Sequence, residues 1–278
     1  MGLRINTNVA SLNAQRNLSK NTGILSRSFM KLSTGRRIAV AADDAAGLAI
    51  SERLKAKIRS LDQAQRNAQD GISLVQTAEG SLQEVNDILV RMRELAIQAK
   101  NGTTSPADKD TLNQEFQALI EEVDRIAKTT DFNETQLLDG SVTGGITLQI
   151  GADVTTNDVL TVGLVDVQAG STGLAIDTLD IGSTGDYTTA INTIDSAIDT
   201  VSQLRGDLGA VQNRLDSVIA NLAVNSENLS AANSRIVDVD VAQETANLTK
   251  YSILQQAAIS VLAQANVQPQ AALSLLQG

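Results

Sequence analysis

Apolar positions recur at helical spacing over most of the chain. Ile5, Val9 and Leu12 are spaced four and three, and Leu18, Leu25, Phe29 and Leu32 extend the series. This predicts an amphipathic helix that breaks at Ser33-Thr34-Gly35. After AADDAAG, Ile50, Leu54, Ile58 and Leu61 share one side of a second helix. From Leu61 the three-four alternation runs without a slip through Ala64, Ala68, Gly71, Val75, Ala78, Leu82, Val85, Leu89, Met92, Ala96 and Ala99. Small residues fill its first half, so a partner helix can approach closely there. Asn101-Gly102 is a C-terminal stop. Ser105-Pro106-Ala107-Asp108 then supplies an N-cap, a proline at the first helical position and an acid at the third. The helix it opens shows Leu112, Phe116, Leu119, Val123 and Ile126.

The pattern changes at Asp139-Gly140. Residues 141–186 are rich in Gly, Thr, Asp and Val, and Ile146, Leu148 and Ile150 alternate with polar residues, as do Leu160, Val162 and Leu164. Two short strands joined by GADVTTND are expected. Helical spacing returns near Thr189 and persists from Ile191 to Ile236, which at ~1.5 Å per residue spans roughly 68 Å. Arg205, Gln212, Ser226 and Asn233 interrupt this apolar seam and are expected to fix register. The predicted fold is mainly α: an elongated antiparallel helical bundle or coiled coil built from both chain halves, with a small β-hairpin insert.

Composition agrees with that architecture. The 278 residues include no Cys, His or Trp and only five Phe or Tyr. Burial therefore comes from Ala, Leu, Ile and Val along helices rather than from a bulky aromatic core. Disulfides and thiolate or imidazole sites are excluded. There are 22 Lys+Arg against 32 Asp+Glu, a net charge of −10, which argues against nucleic acid as the main partner. The charge is unevenly spread. Residues 1–42 carry seven basic side chains and no acid, whereas residues 251–278 carry no charged side chain. No run reaches the ~20 apolar residues that span a bilayer, and the N-terminus lacks the apolar core of a cleavable signal.

An uncharged terminal helix has no solvated face, so it must be enclosed on all sides. The rest of the chain is too small to enclose it, which points to other copies, with the basic N-terminal segment as its neighbour. The apolar side chains assigned to such polymerisation are Leu254, Ile259, Leu262, Leu273, Leu275 and Leu276, with Ile5 and Leu12 from the other end. A disordered tail is the alternative.

The stretch ILVRMRELAIQA, residues 88–99, carries two stripes. Leu89, Met92 and Ala96 belong to the seam, while Ile88, Arg91, Leu95 and Gln98 lie beside it and are expected to touch a neighbouring subunit. Catalytic chemistry is hard to place, so no enzyme activity, cofactor or metal is expected. Asp43-Asp44 stands where a helix begins and reads as capping. Asp153, Asn157 and Asp158 do not have the spacing of a calcium loop and read as a hairpin turn.

The motifs RINTNVASLNAQRNL, DDAAGLAISERL, RNAQDGISLVQTAEGSLQEV, RMRELAIQAKNGT, TLQIGAD and SRIVDVDVAQETANLTKYSILQQAAISVLAQANVQPQAALSLLQG occur in this order. Almost end to end, they resemble bacterial flagellin. The resemblance implies a structural subunit of the extracellular flagellar filament, used for swimming. The chain would leave the cell unfolded through the flagellum's own export channel and polymerise through its terminal helices. Implied partners are further copies of the chain, the export apparatus, a C-terminal export chaperone, and the filament cap and hook-junction proteins. Membrane insertion is not implied. Five segments follow: an N-terminal axial helix (1–42) pairing with a C-terminal one (237–278), two halves of a helical domain (43–140 and 187–236), and a short β-rich insert (141–186). RELAIQ is similar to the site that the vertebrate innate-immune flagellin receptor reads on monomers, which carries over to Arg91, Leu95 and Glu115. Arg36, Ala42 and Gly278 depart from common family residues. A hook–filament junction protein, or a soluble coiled-coil signalling or scaffold protein, is the alternative.

Overall fold

The computed structural model describes residues 7–142 and 144–277, with side chains described as far as residue 267. Ile5 and Gly278 lie outside the described residues, as do the side chains of Leu273, Leu275 and Leu276. The fold is mainly α, with long antiparallel helices and two small antiparallel hairpins. The helices are α1 (Val9–Thr34), α2 (Ala45–Lys100), α3 (Pro106–Thr129), α4 (Tyr187–Val237) and α5 (Val241–Gln277). Strands β1 (Asp131–Phe132) and β2 (Thr135–Gln136) form one hairpin, β3 (Ile146–Gln149) and β4 (Val159–Val162) the other.

The helix ends follow local chemistry. The Asn8 side chain accepts a hydrogen bond from Ser11 N at 3.0 Å, and Gly35 closes α1 in the left-handed region at φ 68°. Asp44 Oδ1 accepts from Gly47 N at 2.8 Å and so caps α2. Ser105 and Asp108 form a reciprocal capping box around Pro106 at the start of α3. The first hairpin escapes a sequence reading because Asn133 and Glu134 both take positive φ, 49° and 65°, without the glycine that marks such a turn.

The chain forms two compact units, Met1–Ala56 with Asn228–Gly278, and Lys57–Glu227. The division falls inside α2 and α4 rather than at helix ends. In the second unit, every seam position of α2 from Leu61 to Ala99 is buried. It shares a core with Ile194, Val201 and Leu208 of α4 and with Phe116, Ile120, Val123 and Ala127 of α3, and Ala68 packs with Leu215 in a second cluster. Polar seam residues pair in antiparallel register: the Ser226 hydroxyl donates to Asp62 at 3.0 Å, and Arg205 approaches Glu79 at 3.9 Å.

The insert is more than a hairpin. Leu148 of β3 sits over Gly71, where an added Cβ would lie 2.4 Å from Leu148 Cδ1. Between β4 and α4 the chain has no regular structure, yet Val167, Ala169, Leu174, Ile176, Leu179 and Ile181 are all buried. Side chains of α3 satisfy its backbone: Asn113 Oδ1 accepts from Ile181 N at 3.1 Å, and Gln117 Nε2 donates to Leu179 O at 2.7 Å.

In the first unit, α1 runs antiparallel to α5. Asn8 Nδ2 donates to Ala265 O at 2.7 Å, Gln255 Nε2 to Thr22 Oγ1 at 3.3 Å, and Val239 N to Gly35 O at 3.0 Å. Arg37 N donates to Val237 O at 2.6 Å, tying the chain after α1 to the end of α4. The Ser51 hydroxyl donates to Asn233 Oδ1 at 2.8 Å, so the polar seam position Asn233 is paired as well.

Candidate functional site

The residues that the sequence singles out fall on two surfaces, one in each unit. On the second unit, Arg91 lies on α2 and Glu115 on α3. Arg91 Nε and Nη2 both donate to Glu115 Oε1, at 3.0 and 2.8 Å, while Nη1 donates to Glu94 Oε2 at 3.2 Å. The hydrogen bond that Arg91 donates to Glu115, and then the one it donates to Glu94, raises the already high pKa of the guanidinium. About half of the Arg91 side chain remains exposed, so solvent screens this network. Its consequence is geometry: a planar donor group is fixed between two acids across a helix pair.

Leu95 departs from its expected place. Helical spacing groups it with Arg91 on the stripe expected to touch a neighbouring subunit, and it is instead fully buried, together with Met92 and Phe116. Two helices, α3 and α4, cover α2, so the buried arc is wider than one seam and takes in the neighbouring stripe as well. The adjacent pairs Leu74-Val75 and Leu95-Ala96, both buried, are the sign of that two-sided cover in the sequence. Ile88 is half-buried against the same core and Gln98 is exposed. Two residues beyond Arg91, Arg93 Nε donates to Asp195 Oδ1 of α4 at 2.6 Å, a pairing not legible in the sequence because 102 residues separate the partners.

The second surface is the α1–α5 pair. Within α1 only Ala14 and Ser28 are buried, and within the described side chains of α5 only Ala265. Leu12 is 52% exposed, Ile259 52% and Leu254 40%, while Leu262 is half-buried. Phe29, Ile253, Val261 and Val267 are exposed beside them. So much uncovered apolar area on one helix pair marks an interaction surface.

The other candidate groups have structural partners. Asp43 Oδ2 accepts from Ala39 N at 3.1 Å and Val40 N at 3.2 Å. The bonds from Val40 and Ala39, with Lys31 and Arg27 nearby, hold its carboxyl below the usual range. Asp153 pairs with Lys57 at 2.5 Å, and Asp158 accepts from Thr155 N at 3.3 Å within the turn that also holds Asn157.

The family model of the bacterial flagellin N-terminal helical region matches residues 5–143, and that of the C-terminal helical region matches residues 191–276. The chain belongs to the bacterial flagellin family. A flagellin of Halalkalibacterium halodurans is 51% identical over 98% of this chain and 99% of its own length. A flagellin of Bacillus subtilis is 43% identical, over 99% of this chain and 100% of its own. The crystal structure of Bacillus cereus flagellin has a TM-score of 0.50 at 35% identity, covering 60% of this chain and 94% of that one. This flagellin is thus a filament subunit in a family of structural proteins, whose subunits form the extracellular flagellum. No helix among the described residues is long and apolar enough to cross a membrane.

Proposed function

We propose that this flagellin polymerises through α1 and α5, which pair in the subunit and are enclosed by the same helices of neighbouring subunits. The observation that carries the reading is the exposed apolar set Leu12, Leu254 and Ile259 on a pair with almost no buried core of its own. Each such side chain gains about 1.5–3 kcal/mol when fully covered, so enclosure is strongly favoured once neighbours are present. A pair that is so weakly held alone also suits export as an unfolded chain. The export apparatus and a chaperone that covers the C-terminal segment are then its partners inside the cell, and the cap and hook-junction proteins outside. Deleting residues 251–278 tests the reading by electron microscopy and sedimentation. The truncated chain should stay monomeric while retaining the helicity of the 57–227 unit, and filaments of normal form would overturn it.

A second role belongs to the Arg91 surface. Arg91 with Glu115 is the part of the monomer surface that the vertebrate innate-immune flagellin receptor would contact, and Leu95 positions them from the core. The exposed, two-acid fork of Arg91 favours this reading. An Arg91→Ala monomer should activate a receptor reporter less than the parent at equal concentration. Equal activation would remove Arg91 from the contact.

A further inference from the structure

The turn between α2 and α3 contains one dipeptide that neither assembly nor recognition explains. Asn101-Gly102 follows the last residue of α2, and Asn101, Gly102 and Thr103 are all exposed. Asn101 Oδ1 accepts from Thr103 N at 3.5 Å, a long contact that folds the side-chain amide back over the next peptide. The contact polarises the side-chain carbonyl of Asn101, whose carbon is the one that the main-chain nitrogen of Gly102 must reach. A Cβ at Gly102 would meet nothing within 4 Å, and its φ is not in the left-handed region, so no packing or backbone constraint requires glycine there.

We propose that Asn101 is a site of spontaneous covalent modification, deamidating through a cyclic imide formed with the Gly102 nitrogen. That nitrogen gives up its proton to solvent base and attacks Asn101 Cγ, and the side-chain nitrogen leaves as ammonia. Water then opens the five-membered imide at either carbonyl, giving aspartate or isoaspartate. The net reaction is amide hydrolysis, with water as the only co-reactant. Among the described residues, the other asparagines followed by Ser or Thr lie inside helices, Asn21 in α1 and Asn192, Asn225 and Asn233 in α4. There the helical backbone holds the next nitrogen in the hydrogen-bond ladder, away from the side-chain carbon.

The product alters the turn. A carboxylate appears at the negative end of α2, next to Lys100, where the helix dipole disfavours it. Isoaspartate also inserts a methylene into the main chain. This shifts Thr104, whose N–H donates to Asn101 O at 3.2 Å and whose hydroxyl donates to Gln98 O at 3.0 Å. The turn that sets α3 against α2 therefore loosens with age.

The full-length monomer, held folded at mildly alkaline pH, tests this by peptide mass mapping and isoaspartate-specific methyl labelling. Asn101 should convert at least roughly tenfold faster than Asn192, Asn225 or Asn233, and Gly102→Ala, which removes glycine's conformational freedom, should slow it by roughly tenfold. Conversion spread evenly over the four asparagines would overturn the proposal. So would an unchanged Asn101 rate in a Gly102→Ala protein of native circular dichroism. Should that variant fail to fold, the ranking of sites in the parent protein decides alone.

Discussion

Leu95 lies one helical turn beyond Arg91 on α2, yet the two enter different surroundings: Leu95 is fully buried, while the Arg91 side chain is about half exposed and bonded to Glu115. Their substitution should therefore have separable consequences. Leu95→Ala leaves a cavity beside Met92 and Phe116, and large-to-small core changes of this type cost about 2–5 kcal/mol. Urea unfolding should show a lower midpoint for Leu95→Ala at unchanged slope. Arg91→Ala should leave the midpoint close to that of the parent, because its ion pairs are solvent-screened. Equal midpoints for Leu95→Ala and the parent would contradict the burial.

The α1–α5 pair and the α2–α3–α4 core should differ in amide exchange. Few apolar side chains are buried in the pair, while ordering the backbone costs about 1–2 kcal/mol per residue. In the monomer, amides in 9–34 and 241–267 should exchange rapidly, and those around Leu82, Leu89 and Phe116 slowly. In filaments the two terminal segments should become protected. A Leu12→Asp, Ile259→Asp double variant should keep the monomer pattern and fail to gain that protection, since each charge would be enclosed without a partner. Terminal segments strongly protected in the monomer would show that the pair is stable without neighbours.

Asp43 makes the junction between α1 and α2 sensitive to acid. Its carboxylate receives the Val40 and Ala39 amides, and its folded pKa is lowered by them. The ionised form is the one favoured by folding. The stabilisation is thus fully present above the unfolded value of about 3.9 and is lost as pH falls through the lower folded value. Protection factors of the Ala39 and Val40 amides should hold constant at neutral pH and decline in acid. In Asp43→Ala they should be low at every pH. Protection in the variant equal to that of the parent at neutral pH would remove Asp43 from this role.

Much of this architecture is legible in the sequence because its determinants are local or periodic. The unbroken seam from Leu61 to Ala99 and the Ser105-Pro106-Ala107-Asp108 cap specify α2 and α3 without reference to anything distant. Positions decided by tertiary cover were not legible. Leu95 shares its helical stripe with the polar Arg91 and Gln98, and it is buried because α2 is covered on two sides. The segment from Val167 to Ile181 has neither helical nor strand spacing, because Asn113 and Gln117, not a ladder, satisfy its backbone. Ile259 is exposed on a segment with no charged side chain, and Leu12 is exposed on the basic segment that pairs with it.

The glycines inside the long helices separate into two kinds, and alanine substitution distinguishes them. A Cβ at Gly206 or Gly209 of α4 would meet no atom within 4 Å, so packing requires glycine at neither position. Glycine in a helix interior costs roughly 0.5–1 kcal/mol relative to alanine, through the extra freedom of the unfolded chain. Gly206→Ala and Gly209→Ala should each stabilise the 57–227 unit by about that amount, and the two changes should nearly add because neither meets a neighbour. Gly71 of α2 is different. Its Cβ would stand 2.4 Å from Leu148 Cδ1 and 3.4 Å from Leu215 Cδ1, so alanine must displace the β3–β4 hairpin or force Leu148 from its rotamer. Overpacking of this kind costs about 1–3 kcal/mol, more than the helix-propensity gain returns. Urea unfolding of the three single variants should therefore give midpoints above the parent for Gly206→Ala and Gly209→Ala and below it for Gly71→Ala. A raised midpoint for Gly71→Ala would show that Leu148 moves aside freely and that the hairpin does not rest on this notch.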